Sequence, residues 1–187
     1  MSEYIVLSGP TGVGKTTLAE LLGKVRPSLY RPISCTTRAP KKGEKNGVEY
    51  HFLSRAQFER KESLGHFEEY AEIHGDLYGT LKIDLESTDP EIRFLLEIDV
   101  QGMRKVRDRF YRVKTVFIHP LSFEVLEERI RARQRGESDE EIVRRLARAR
   151  EEITCAREFT YEVVNDDLSR ALRELVEIVD LPWVSLH

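Results

Sequence analysis

A chain of 187 residues is long enough for one globular core with small inserted subdomains and too short for two large domains. Its 40% hydrophobic and 34% charged residues suit a soluble folded protein, not a disordered or fibrous one. The net charge of −3 argues against a generally basic surface for nucleic acid, and no apolar run approaches the roughly 18 residues of a membrane span. The start, Met-Ser-Glu-Tyr, lacks the basic and apolar regions of a signal peptide, and Cys35 and Cys155 are too few for a disulfide framework. A reducing cytoplasm is therefore the expected setting, with neither a nucleic acid nor a membrane as partner.

The first predicted element is the apolar run Tyr4–Ser8, which stops at glycine as a buried parallel strand does. Leu18, Leu21, Leu22 and Val25 then recur at helical spacing until Pro27. Residues 34–82 break the rhythm: they are polar and rich in turns, with a strand at Glu49–Leu53 and a short helix capped by Ser54. Buried strands are predicted at Phe94–Asp99, Thr115–Ile118 and Tyr161–Val164, and helices at Ser122–Arg133, Asp139–Phe159 and Leu168–Val179. Strands alternating with helices imply an α/β three-layer fold with a central parallel sheet. The expected division is a core of residues 1–33, 83–130 and 146–187, a substrate-binding insertion at 34–82 and a basic lid at 131–145.

Gly9-Pro10-Thr11-Gly12-Val13-Gly14-Lys15-Thr16, followed by Thr17, fits the phosphate-cradling pattern G-x-x-x-x-G-K-[ST]. Glycines allow positive φ and bring backbone N–H groups close to anionic oxygens, and the helix that begins near Lys15 adds the positive end of its dipole. Lys15 is suited to the β- and γ-phosphates of a nucleotide, and the Thr16 hydroxyl is the natural ligand for Mg²⁺. Alone, the loop leaves a GTPase, an ATPase motor, a transporter subunit or a small-molecule kinase open.

Further motifs narrow the choice. They are Ser34-Cys-Thr-Thr-Arg38, Gly47-Val-Glu-Tyr50-His-Phe52, Phe67-Glu-Glu69-Tyr-Ala71, Tyr78-Gly-Thr80, Leu96-Glu97-Ile-Asp99-Val-Gln-Gly102 and Val164-Asn165-Asp166. In this order after a phosphate loop they resemble the guanylate kinase family almost end to end. The resemblance implies phosphoryl transfer from ATP to GMP, in purine nucleotide metabolism and GMP recycling. It implies that Arg38, Tyr50 and Tyr78 grip the GMP phosphate; a planar guanidinium forks well onto phosphate, and phenols add neutral donors. The family's usual second arginine is here Lys41, beside Lys42, which keeps the charge and loses the bidentate fork.

By the same resemblance Glu69 reads guanine, whose N1–H and amino group are both donors, whereas adenine offers a repelling acceptor at N1. Ser34 and Thr80 are placed near the other guanine edge. Alternation puts Glu97 and Asp99 on one side at a strand's carboxyl end, Glu97 suited to a water-bridged Mg²⁺ or a substrate contact. The resemblance also points to Arg133 or Arg135 before the lid turn and Arg145 after it as arginines around the transferring phosphoryl group. Asn165 and Asp166 are implied to lie near the adenine of ATP. Many of the arginines also fit a salt-bridged helix surface, as in Glu140–Arg144 and Glu141–Arg145.

The implied chemistry needs alignment and charge neutralisation but no dedicated base, with the two inserted regions closing to exclude water. The nearest rival is another kinase with the same cradle, such as an adenylate or thymidylate kinase or a relative acting on a ribose bisphosphate. The rival from another class is a phosphopeptide-binding module, as in scaffolding proteins whose guanylate-kinase-like domains have lost parts of the cradle; here it is complete. Nothing in the sequence sets the oligomeric state.

Overall fold

The apolar run near the N-terminus is the central strand of a parallel sheet. A computed structural model describes residues 2–41, 43–73, 75–82, 92–132 and 139–183. In it β1 (Glu3–Ser8) pairs in parallel with both β7 (Arg93–Glu97) and β8 (Val113–His119). The short β2 (Leu29–Tyr30) and β9 (Tyr161–Val164) complete the order β2-β7-β1-β8-β9. Burial on both faces explains why the inner strands β1 and β7 read as apolar runs. Along β1, Ile5 and Leu7 join a layer with Leu18 and Leu22 of α1 (Lys15–Val25) and Leu175 of α6 (Leu168–Asp180). Tyr4 and Val6 point the other way, into a layer with Phe94, Phe117, Met103 and Phe159. The parallel strands therefore end on one edge, and the chain passes from β1 to α1 there through the glycine-rich turn.

Between the second and third strands of that sheet the chain builds a smaller one, ordered β4-β3-β6-β5. Its strands are β3 (Cys35–Thr36), β4 (His51–Phe52), β5 (Phe67–Ile73) and β6 (Asp76–Leu81). Only β3–β4 is parallel; β6 runs antiparallel to both neighbours. Helix α2 (Arg55–Ser63) begins in a capping box: Gln57 N donates to Ser54 Oγ at 3.2 Å, and Ser54 N donates to Gln57 Oε1 at 2.8 Å. Its Phe58 stacks on Phe67 at 4.2 Å between centroids and closes a small core with Cys35 and Leu77.

Several expected boundaries move. The strand expected at Glu49–Leu53 is regular only over His51–Phe52. The helix expected at Asp139–Phe159 is α5 (Asp139–Thr154) followed by a 3-10 turn at Ala156–Glu158. The helix before it is α4 (Phe123–Ala132), and residues 133–138, the middle of the expected lid, lie outside the described residues. Helix α3 (Val100–Arg109) was not expected: Val100, Met103 and Val106 are its buried apolar residues, and Gly102 with five charged residues masks the period. It packs against β5, joining the two sheets. Among the described residues no helix is long and apolar enough to cross a membrane.

Candidate active site

The phosphate-loop residues occupy the turn out of β1. Gly9, Gly12 and Gly14 stand at φ 140°, 89° and 102°, where L side chains are strained. Space forbids side chains as well: a Cβ on Gly9 would lie 2.4 Å from the Ile118 carbonyl oxygen, and one on Gly14 2.6 Å from Asn165 Nδ2. The first intrahelical bond of α1 is Leu18 N to Gly14 O at 3.1 Å, and no side chain caps the helix. The amides of Lys15, Thr16 and Thr17 therefore have no partner within the helix. Lys15 Nζ turns back onto the loop, donating to Gly9 O and, at 3.1 Å, to Pro10 O.

Across from the loop stand residues of the smaller sheet. Tyr50 and Tyr78 meet edge-on with ring centroids 5.9 Å apart, and the Arg38 guanidinium lies 5.4 Å from the Tyr50 ring. Both nitrogens of the Arg38 fork reach Glu44 at 3.0 Å. Burial, followed by Tyr78 and Glu97, pushes the Tyr50 phenol up, against the pull of Arg38 and Arg31. Ser34 and Lys41 line the same wall.

Glu69 is a buried carboxyl on the inward face of β5, only 5% exposed. Thr80 Oγ1, on the neighbouring strand, donates to Glu69 Oε1 at 2.7 Å. Gly102 makes room for the other oxygen, since a Cβ there would come within 2.7 Å of Glu69 Oε2. Desolvation pushes the carboxyl up to about 7, the Thr80 hydroxyl opposes this, Asp99 adds to it and Lys105 opposes it. The adjacent Glu68 also turns toward α3, where it pairs with Arg109 near the other end of the helix. The register of β5 against β6 shifts between Phe67 and Glu69, so Glu68 is the extra residue of a bulge and the usual alternation is broken between the two acids.

Glu97 and Asp99 both line the cleft at the carboxyl end of β7. Asp99 Oδ1 accepts from Gly102 N at 2.9 Å as the N-cap of α3, and its Oδ2 accepts from Arg148 at 3.2 Å. Arg148 also donates to Glu152 Oε1 at 3.1 Å. Burial pushes the Glu152 carboxyl up, while Lys15 and Arg148 pull it down. Glu97 pairs with Arg31 at 2.5 Å. Arg145 of α5 lines the cleft, while Arg133 and Arg135 lie outside the described residues.

One cleft of about 430 Å³ thus gathers Gly9, Thr11, Gly12, Gly14, Lys15, Thr16, Thr17, Ser34, Arg38, Lys41, Tyr50, Glu69, Tyr78, Glu97, Asp99 and Arg145. Pro10, Val13, Thr80, Asn165 and Asp166 are not in its wall. Val13 is fully buried, and its carbonyl accepts from the buried Asn165 Nδ2 at 2.7 Å, so the loop is braced from behind. Asp166 accepts from Arg170 at 2.6 Å. Sequence reasoning passed over Arg31, Arg148 and Glu152. Arg148 and Glu152 recur at helical spacing from Arg145, a signal present in the sequence, whereas Arg31 carries no motif.

The guanylate kinase family model matches residues 1–181. The chain belongs to the guanylate kinase family. A guanylate kinase of Synechocystis sp. is 43% identical over 178 residues, covering 95% of this chain and 93% of the relative. One from Nitratidesulfovibrio vulgaris is 47% identical over 173 residues, covering 91% and 83%. The crystal structure of guanylate kinase from Anaplasma phagocytophilum superposes with a TM-score of 0.79 at 32% identity, covering 95% of this chain and 84% of that one. The doubly covered parallel sheet with its phosphate loop is the α/β kinase architecture of that family.

Proposed function

We propose that the chain transfers the γ-phosphoryl group of ATP to GMP, giving ADP and GDP, and so returns GMP to the purine nucleotide pool. The observation that carries this reading is Glu69: a buried carboxyl, held by Thr80, in the same cleft as a phosphate loop. An acceptor-only group at a desolvated position suits a base edge with two donors, which guanine has and adenine lacks.

The donor's triphosphate sits on the loop, with the amides at the start of α1 and Lys15 against its β- and γ-oxygens. Lys15, which the Gly9 and Pro10 carbonyls hold over the loop, exchanges them for phosphate oxygens. Thr16 is the residue that fits Mg²⁺, as a hydroxyl at the helix start and in the cleft wall. Its hydroxyl would hold the ion together with oxygens of the donor's phosphates. When bound it neutralises charge that develops on the phosphoryl oxygens.

The acceptor lies across the cleft, its phosphate on Arg38, Tyr50, Tyr78 and Lys41 and its base on Glu69, with Ser34 beside it. Thr80 acts through Glu69, since its single proton is donated to that carboxyl. Glu97 and Asp99 bound the space between the nucleotides, and Asp99 also fixes the start of α3 and holds Arg148. Arg145, with Arg133 or Arg135, supplies positive charge to the phosphoryl group in flight. Asn165 supports ATP by bracing the loop at Val13, and Asp166 follows it at the end of β9. A GMP phosphate oxygen is already anionic, so the step needs alignment and charge compensation without a general base. Residues 34–82 form the acceptor-binding part and 131–145 the lid of this arrangement. Coupled assays of ADP formation with GMP, AMP, dTMP and UMP test it: GMP is the preferred acceptor, and preference for another base overturns the assignment.

A further inference from the structure

Arg31 is a cation of the cleft wall that no motif announced. It follows the edge strand β2 and precedes Pro32, which biases it to extended backbone. Its side chain is 40% exposed, and Nη2 lies 2.5 Å from Glu97 Oε1. That oxygen is nevertheless buried without an aligned hydrogen-bond partner. The two groups are thus close, but the guanidinium fork is not seated on the carboxylate. They form an ion pair without an aligned hydrogen bond, whose cation end reaches solvent.

The other arginine of this wall is arranged in parallel. Arg38 rests on Glu44 at 3.0 Å, and Arg31 rests on Glu97. Tyr50 lines the same cleft, its ring 5.4 Å from the Arg38 guanidinium. Two guanidiniums in one cleft wall, each beside an acid, give it more positive reach than one arginine supplies. A phosphate monoester brings about two negative charges and several acceptor oxygens, enough to take both forks.

We propose that Arg31 is a second guanidinium for the phosphate of the acceptor nucleotide, held on Glu97 until that phosphate arrives. This rests on the reading that Arg38, Tyr50 and Tyr78 bind the GMP phosphate. Arg31 exchanges a misaligned carboxylate for a phosphate oxygen, and Glu97 is its counter-charge within the wall. The contact belongs to the phosphate, so guanosine, which lacks one, gains nothing from it.

The test is calorimetric binding of GMP and of guanosine to the wild-type protein and to Arg31→Ala, Arg31→Lys and Arg38→Ala, with thermal melts of each. Arg31→Ala is expected to weaken GMP about tenfold, leave guanosine within twofold and raise KM for GMP far more than it lowers kcat. Arg31→Lys recovers part of the loss, because it keeps the charge without the fork. If Arg31→Ala binds GMP normally while Arg38→Ala does not, the inference fails and the phosphate-site reading stands. An equal loss for GMP and guanosine assigns Arg31 a purely structural role and also overturns the inference. If wild-type protein binds GMP no better than guanosine, or Arg38→Ala binds GMP normally, the phosphate-site reading itself fails.

Discussion

Replacing Glu69 with glutamine separates the stability of the protein from its selectivity. The folded carboxyl titrates near 7 instead of 4.5, because it is buried. Between those values the folded protein keeps a proton that the unfolded chain has released. Stability therefore falls as pH rises through the window, and it is fully present only below the unfolded value. At ~1.4 kcal/mol per pH unit the loss comes to about 3 kcal/mol by pH 8, against under ~1 kcal/mol at pH 5. Glutamine has nearly the same shape, still accepts from Thr80 and does not ionise. Relative to wild type, Glu69→Gln should therefore gain about 2–3 kcal/mol between pH 5 and pH 8, whatever pH-independent cost the amide carries.

For a chain of this size that is a difference of roughly 4–10 °C in melting temperature between the two pH values. The amide sets a donor against one of guanine's two donors, so kcat/KM for GMP should fall roughly a hundredfold or more. Guanine selects the ionised carboxylate, and GMP binding to the wild type near pH 6 should release most of a proton, detectable as a buffer-dependent binding enthalpy. Nucleotide-free melts at both pH values and the coupled assay suffice. An equal shift in melting at pH 5 and pH 8, or undiminished GMP turnover by the variant, would refute the reasoning.

Gly102→Ala places a Cβ 2.7 Å from Glu69 Oε2, so the carboxyl must shift; kcat/KM for GMP should drop at least about tenfold while ATP binding is unchanged by calorimetry. Asn165→Ala leaves the Val13 carbonyl without its 2.7 Å donor; urea melts should show a loss of about 1–3 kcal/mol, and KM should rise for ATP more than for GMP. Lys15→Ala removes a side chain whose hydrogen bonds run to its own loop, so circular dichroism should show an intact fold while turnover falls on the order of a thousandfold. Near-normal GMP phosphorylation by that variant contradicts the cradle's role.

The sequence alone determined the elements with local causes. Tyr4–Ser8 is apolar because both faces of the parallel sheet are covered there, and Ser54 with Gln57 carries its helix start within four residues. The phosphate loop is equally local, since its chemistry needs glycines, a lysine and a hydroxyl in consecutive order. Helix α3 was hidden because its inward face includes Gly102, whose small size serves Glu69 and not helical packing. β5 and β6 were missed because their inward face carries the site's own polar residues, Glu69 and Thr80, where a strand pattern expects apolar ones.

Which groups would meet was decided by tertiary structure. Glu68 and Glu69 differ by one position in sequence; the bulge in β5 and the packing of α3 send one to Arg109 and the other to the cleft. Arg31 and Glu97 are far apart along the chain and come together because β2 and β7 are neighbours in the sheet. Asn165 reaches Val13 through the same kind of long-range register. Short-range propensity is written residue by residue, but these contacts depend on strand order and layer packing, which arise only when the whole chain has folded.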